Sequence, residues 1–424
     1  MISHSKYDTQ KWIVLTGFCL MYATVYLARF NINNLLPEIS EELVLSEMLR
    51  DILYASIFFS YAIGSIINGY IADKSNKKIC ILLGIIGSLT LNVISYMASS
   101  FGAFLIINML NGYAQSIIWV SGIAMIAQWW RYDQRGIAVG VINMTSNISY
   151  IVLIFAPDFI FVNDATHWKE NFIYPMAPIF FLAAIFVIMF AEKPEDRKLS
   201  PYTENHNFTS GQDIELKTKV KPSFFGVLKY FLTEKTTIMW CLIALLSSLC
   251  RYGLLFWLPA YYSDKTDSFV LSESTTNIVL SLGMGVGTLI GCMLAGKYFS
   301  RNLGLVVTIF ATSCAAVVIT FPVLTSKITI SCAVFLCGSL LFAINGILWI
   351  YALNKGNRVY SGTISGVLNA FAYFGATVQI FIFKLIVNLT GDWMFVFVAI
   401  EVVCILMVIL GLVVLNKDKL IRKV

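Results

Sequence analysis

Windows of about twenty apolar residues recur along the chain, at roughly 12–33, 52–72, 79–98, 103–128, 136–156, 174–191, 237–262, 275–296, 304–322, 328–352, 362–387 and 393–415. At about 1.5 Å of rise per residue, each is long enough to cross a hydrocarbon core roughly 30 Å thick. No water reaches the peptide groups there, so a spanning segment must satisfy its own hydrogen bonds, as a helix does. Composition agrees: 58% of the 424 residues are hydrophobic and 13% charged, and the mean hydropathy is +0.77, more apolar than a soluble core requires. The first run continues past Trp12 without a small-residue cleavage site, so it reads as a retained helix and not as a secretory signal. The expectation is an all-α membrane protein with twelve transmembrane helices.

The windows fall into six plus six, divided by a polar stretch without apolar periodicity, which predicts halves at 1–191 and 236–424 joined by a linker at 192–235. Loop charge gives the orientation. Lys74, Lys77 and Lys78, Arg131 and Arg135, Lys297 and Arg301, and Lys355 and Arg358 follow the even spans 2, 4, 8 and 10. Acids gather on the alternate loops: Glu38, Glu41, Glu42, Glu47 and Asp51, then Asp158 and Asp164, then Asp264, Asp267 and Glu273. By the positive-inside rule the basic loops, the linker and both termini face the cytoplasm of a cell membrane. The 31 Phe, 20 Tyr and 9 Trp suit interfacial belts and lipid-facing packing.

Two arginines stand inside this apolar sequence. Arg29 lies in the first span and Arg251 in the seventh, at corresponding places in the two halves: Arg29 is followed by Leu36 and Pro37, Arg251 by Leu258 and Pro259. Arginine keeps its proton in any protein environment. A fixed cation in a spanning helix costs roughly 3 kcal/mol on insertion scales, so it marks an interior or watery path. A guanidinium fork suits phosphate or carboxylate, which points to an anionic ligand. The structural alternative is a guanidinium that caps carbonyls or pairs with a buried acid, and no mid-membrane carboxylate in spans 1 to 11 offers itself. A parallel repeat of six plus six is the build expected of the major facilitator superfamily, with its site near the midplane.

Several motifs sharpen this. They are Tyr26, Leu27, Ala28, Arg29 and Asn31 with Pro37; Gly69 to Asn76 around Asp73; Asn111, Gly112 and Gln115 with Trp119; and Trp129 and Trp130 leading to Arg135 and Gly136. Further along stand Asn143 with Asn147, Arg251 to Gly253 with Trp257 and Pro259, Gly287 with Thr288, and Ser361 to Gly366 with Tyr373. Over nearly its whole length the chain resembles the organophosphate:phosphate antiporter family of that superfamily. The resemblance implies a rocker-switch exchanger in which one arginine from each half grips a substrate phosphate and inorganic phosphate returns the carrier. The family commonly carries lysine after the first arginine, lysine in span 2 and histidine in span 5, where this chain has Phe30, Ser65 and Ser146. A larger organophosphate, a less charged ester and a sugar-acid carboxylate all remain open as cargo.

The expected substrate path is lined by Arg29, Arg251, Tyr26, Tyr61, Ser65, Asn143, Ser146, Asn147 and Tyr373. Asn143, Ser146 and Asn147 share one helical face, where polar groups also serve simply to hold helices together; the tyrosines are read equally well as packing or belt residues. Asp73, Arg131 and Arg135 are expected to act as gate contacts, or only to set topology. The nine cysteines fall in or beside apolar spans, without the spacing of a disulfide framework or zinc site. His4, His167 and His206 lie outside the spans, which weakens histidine-based proton relay, and Lys384 can snorkel to an interface. Gly283, Gly285, Gly287 and Gly291 sit within an apolar span and read as helix packing, not as a nucleotide loop. The net charge of +6 is scattered over short loops, which argues for a membrane surface and against nucleic acid. No enzyme signature, cofactor or metal is expected; the partners are a small anionic metabolite, inorganic phosphate and the bilayer, and the chain is expected to be a monomer. A sodium- or proton-coupled sugar-acid symporter and a membrane-embedded metabolite sensor are the alternatives.

Overall fold

The computed structural model describes residues 2–29, 31–155, 167–174, 176–189, 191–202, 223–264, 271–300 and 302–421. Phe30, Asp158, Asp164, His206, Asp267, Arg301 and the linker residues 203–222 lie outside them. Every regular element among the described residues is helical. The long helices are α1 (Ile2–Ala28), α2 (Glu47–Lys74), α3 (Lys77–Tyr96), α4 (Phe101–Trp129), α5 (Arg135–Phe155), α6 (Met176–Met189), α7 (Lys235–Asp264), α8 (Glu273–Tyr298) and α9 (Leu303–Val318). A continuous helix, Lys327–Thr390, leaves helical geometry at Asn357 (φ 49°) and Tyr360 (φ −132°), and so holds two spans, α10 (327–356) and α11 (361–390). The last is α12 (Met394–Ile421).

Ten helical stretches among the described residues are apolar and long enough to cross a membrane, with Lys6–Glu42 and Lys327–Thr390 each counted as one and Trp168–Val187 covering most of α6. The division of Lys327–Thr390 and α5 complete the twelve. α5 is set apart by a polar stripe of Asn143, Thr145, Ser146, Asn147 and Ser149. Local chemistry fixes the starts: Ser46, Asn76, Ser100 and Ser272 each accept a hydrogen bond from the backbone N–H three residues on, satisfying a donor that has no intrahelical partner.

Compactness divides the chain into one unit of Met1–Tyr132, Val152–Val227 and Ala352–Ala370, and another of Asp133–Ile151, Leu228–Tyr351 and Phe371–Val424. In the first, α2 and α3 pack on α4 and α1 packs on α6. Ile32, Ile39, Leu53, Phe104 and Phe172 close one end of it around the turns that follow α1. The 352–370 segment belongs here because small residues let backbones meet: a Cβ on Gly69 would stand 2.5 Å from the Gly362 carbonyl oxygen, and one on Gly366 would collide with that of Ser65. In the second unit, α12 packs on α7 and α9. Gly283 and Gly287 lie against the Phe335 and Ser339 backbones of α10, the close packing expected of that glycine cluster.

Candidate functional site

In the first unit α1 stops one residue short of Arg29, whose N–H still reaches the Tyr26 carbonyl at 3.3 Å. Helix resumes at Asn31–Asn34 and again at Leu36–Glu42, where Pro37 occupies a first-turn position that needs no N–H. The cation therefore stands at a break in an apolar run. Its guanidinium is buried (3% exposed), donates through Nη1 to the Tyr22 hydroxyl at 3.2 Å, and lies 4.4 Å from the Tyr61 ring centroid and 5.3 Å from that of Tyr26. Ring faces attract a desolvated cation without neutralising it.

A ladder of buried amides supports the break. Gln115 of α4 donates to the Arg29 carbonyl (3.5 Å), to Ser88 Oγ (2.9 Å) and to Asn111 Oδ1 (3.0 Å). Ser88 donates to Asn111 Oδ1 at 2.6 Å, and Asn92 reaches the Ser88 carbonyl at 2.9 Å. Asn31 donates to Asn92 Oδ1 (3.1 Å) and to the Asn171 carbonyl (3.2 Å). Sequence reading singled out Asn31, Asn111 and Gln115 only as motif residues. The i, i+4 pairs Ser88 with Asn92 and Asn111 with Gln115, each inside an apolar span, were the available signal of a network.

At the Lys74 end of the same unit, Asp73 accepts from the N–H groups of Gly362 (2.8 Å) and Thr363 (2.6 Å) and from the Thr363 hydroxyl (2.6 Å). A carboxylate thus caps the first turn of α11, where the backbone donors and the helix dipole both favour negative charge. Lys74 reaches the Tyr360 hydroxyl at 3.3 Å. Arg358 and Gln128 exchange two hydrogen bonds, of 2.8 and 3.0 Å, and Arg358 also pairs with Glu195 at 3.1 Å. Glu195 is a linker residue; burial opposes its ionisation, yet a backbone hydrogen bond and the Arg358 guanidinium hold its carboxyl below the usual range. Arg131 is exposed beyond α4, whereas Arg135 is buried in the first turn of α5.

In the second unit α7 runs unbroken through Arg251, with Pro259 inside it. Arg251 donates to Ser248 Oγ at 3.3 Å and lies 4.4 Å from the Tyr252 ring and 4.9 Å from that of Phe342. Its Nε is buried without a hydrogen-bond acceptor among the described residues. The ion pairs described, Lys11–Asp8, Lys77–Glu192, Lys169–Glu42 and Arg358–Glu195, leave no carboxylate within 4.0 Å of Arg251. The Tyr373 ring of α11 lies tilted against that of Tyr252, at 6.3 Å between centroids. Sequence reading did not identify Ser248 or Phe342; Ser248 stands three residues before the arginine, one helical turn away.

The hydroxyls and amides expected to line the path are largely engaged within their own units. Ser65 donates to the Tyr61 carbonyl (2.8 Å) and accepts from Asn369 (3.1 Å). Asn143 donates to Val139 O (2.9 Å) and accepts from Asn345 (3.4 Å). Ser146 and Asn147 both donate to the Asn143 carbonyl at 2.8 Å. Arg29, Tyr26 and Tyr61 come together in one unit, and Arg251 and Tyr373 meet through Tyr252 in the other.

Residues 18–380 match the Major Facilitator Superfamily, so the chain belongs to that family and is a multi-pass membrane transporter. It resembles the glycerol-3-phosphate transporter of Haemophilus influenzae, 21% identical over 88% of this chain and 85% of that one. It is also similar to the probable sulfoacetate transporter SauU of Cupriavidus necator, 22% identical over 90% and 88% respectively. Among solved structures, the fucose:proton symporter FucP of E. coli superposes with a TM-score of 0.72 at 12% identity, over 96% of this chain and 99% of that one, which fixes the fold.

Proposed function

We propose that the chain exchanges an organophosphate of the sugar-phosphate or glycerol-phosphate type for inorganic phosphate by alternating access, in a cell membrane with both termini cytoplasmic. The working parts are two six-helix halves, 1–191 and 236–424, joined by the linker 192–235. Arg29 and Arg251 each hold one face of the phosphate; Tyr26, Tyr61 and Tyr373 flank them; Asp73, Arg131 and Arg135 work at the gate. The observation that carries this reading is a pair of guanidiniums set among aromatic rings, Arg29 buried and Arg251 half-buried, the latter with an Nε donor that has no acceptor among the described residues. A bound dianion supplies the acceptors and offsets the cost of the buried charge. Without an anion, repulsion between two cations opposes closure, so the carrier exchanges and does not leak.

A second reading, a carrier of an organic acid, draws support from the likeness to a probable sulfoacetate transporter and from the absence of accessory bases at Ser65 and Ser146. Proteoliposomes loaded with phosphate and offered labelled organophosphates, sugar acids and sulfonates separate the two. Arg29→Lys and Arg251→Lys should each weaken binding by about 1.5–3 kcal/mol, roughly ten- to a hundredfold, because a point donor cannot form the fork. Phosphate exchange that survives replacement of both arginines by glutamine, in folded and inserted protein, overturns the antiporter.

A further inference from the structure

The short helix Phe224–Thr233 lies within the linker 192–235, where the sequence showed no apolar periodicity, and carries none of the substrate or gate residues named above. Its ten residues, FFGVLKYFLT, are apolar but too few to cross a bilayer. Val227 and Phe231, one turn apart, are fully buried, while Phe225 (76% exposed), Lys229 and Leu232 share the opposite face. The Phe224 ring meets Tyr70 edge-on at 5.4 Å. Tyr70 adjoins a second exposed apolar row, Phe59, Ile63, Ile67 and Ile71, spaced at four residues along α2. That row has the character of a lipid-facing stripe, and it ends where Asp73 and Lys74 begin, with Lys74 5.8 Å from the Tyr70 ring. Phe224 and Phe225 therefore continue the lipid-facing surface at the level where hydrocarbon gives way to charge.

We propose that Phe224–Thr233 lies in the plane of the membrane as an anchor, with Phe225 and Leu232 at the boundary of acyl chains and headgroups and Lys229 on anionic phospholipid headgroups. A lysine between two large apolar side chains suits that boundary, since its stem lies along hydrocarbon while its ammonium meets phosphate. The same lysine argues against a second copy as the occupant, because self-pairing of this face would bring like charges together. The face also lies just ahead of α7, so the anchor holds the chain at the interface where α7 begins at Lys235.

The test uses the full chain. Cys332 is the one exposed cysteine, so Phe225→Cys in a Cys332→Ser background places a fluorescent label on this face, and Leu232→Cys supplies a second site if the first variant fails to fold. In vesicles of phosphatidylcholine with phosphatidylglycerol, the label should emit blue-shifted light and be quenched by phospholipid spin-labelled near the acyl carbonyl more strongly than by iodide. Lys229→Glu should shift emission to the red in those vesicles and leave it unchanged in phosphatidylcholine alone. Dominant quenching by iodide at both positions, or cross-linking of the unlabelled cysteine into dimers, overturns the proposal. None of these readouts depends on transport, so they are independent of the exchange reaction.

Discussion

Arg29 and Arg251 open the same local pattern, each followed eight residues later by a proline, but the backbone treats them differently. The chain leaves the helix at Arg29 and starts again after it, so Pro37 falls in a first turn. Around Arg251 the helix continues, and Pro259 is carried inside it. Between arginine and proline the first site has Asn31 and Asn33, whose side chains make hydrogen bonds away from the helix; the second has Leu254, Leu255 and Phe256. The first arginine lies beside a scaffold of amides, whose Gln115 approaches its carbonyl at 3.5 Å, and the second sits on a straight helix with one described side-chain hydrogen bond, to Ser248. Two cations of equal charge thus differ in how far their positions are determined before any ligand arrives.

The largest effect that tests this contrast is loss of the scaffold. Gln115→Leu removes the donor to Ser88, to Asn111 and to the Arg29 carbonyl. Hydrogen bonds between membrane helices average about 0.6 kcal/mol, and a buried group left without a partner costs about 1–3 kcal/mol, so a destabilisation of roughly 2 kcal/mol is expected. Thermal unfolding in detergent should show it, together with weaker anion binding. Ser247→Ala is the matched change near Arg251: the Ser247 hydroxyl is buried with no partner among the described residues, so its removal should be neutral or slightly stabilising. A loss in Ser247→Ala equal to that of Gln115→Leu would end the distinction between the two sites.

Apolar run length made the twelve helices legible, because a bilayer requires helix wherever such a run occurs. The arginines were legible because a charge in hydrocarbon is costly enough to need a reason. The break at Arg29 was not: the repeated Arg and Pro pattern suggested equal backbones, and the difference depends on Asn92 and Asn171, distant in sequence, which receive the Asn31 amide. The partners of Ser65 and Asp73 were hidden for the same reason, since Asn369 and Thr363 come within reach only because glycines at 69, 362 and 366 bring two backbones together.

A smaller effect is expected from Tyr22→Phe, which keeps the ring and deletes the hydroxyl that accepts from Arg29. Hydrogen bonds to a charged group are worth about 1.5–3 kcal/mol, and the stacked Tyr61 face remains, so the lower figure applies: roughly tenfold weaker binding, with the unfolding temperature little changed. Equilibrium binding of labelled ligand to purified protein reads this directly. If affinity is unchanged, the hydroxyl does not position the guanidinium, and the Tyr26 and Tyr61 rings and the backbone hold the first site without it.

The smallest expected effect is on the other arginine. Ser248→Ala deletes the one side-chain hydrogen bond described for Arg251, at 3.3 Å, near the long end of the range. Arg251 is half-buried, where Arg29 is fully buried, so the lost contact is partly replaced and should cost about 0.5 kcal/mol, near the lower end for an intramolecular hydrogen bond. Affinity should fall by about twofold. The sign of a secondary effect sharpens the comparison. Because Arg251 already carries an unused Nε donor, freeing its remaining contact gives a ligand oxyanion one more donor to claim, so the loss should shrink for a dianion relative to a monoanion. Parallel measurement with phosphate and with a singly charged sulfonate tests this; a larger loss for the dianion would mean that Ser248 fixes Arg251 as firmly as Arg29 is held in its own unit.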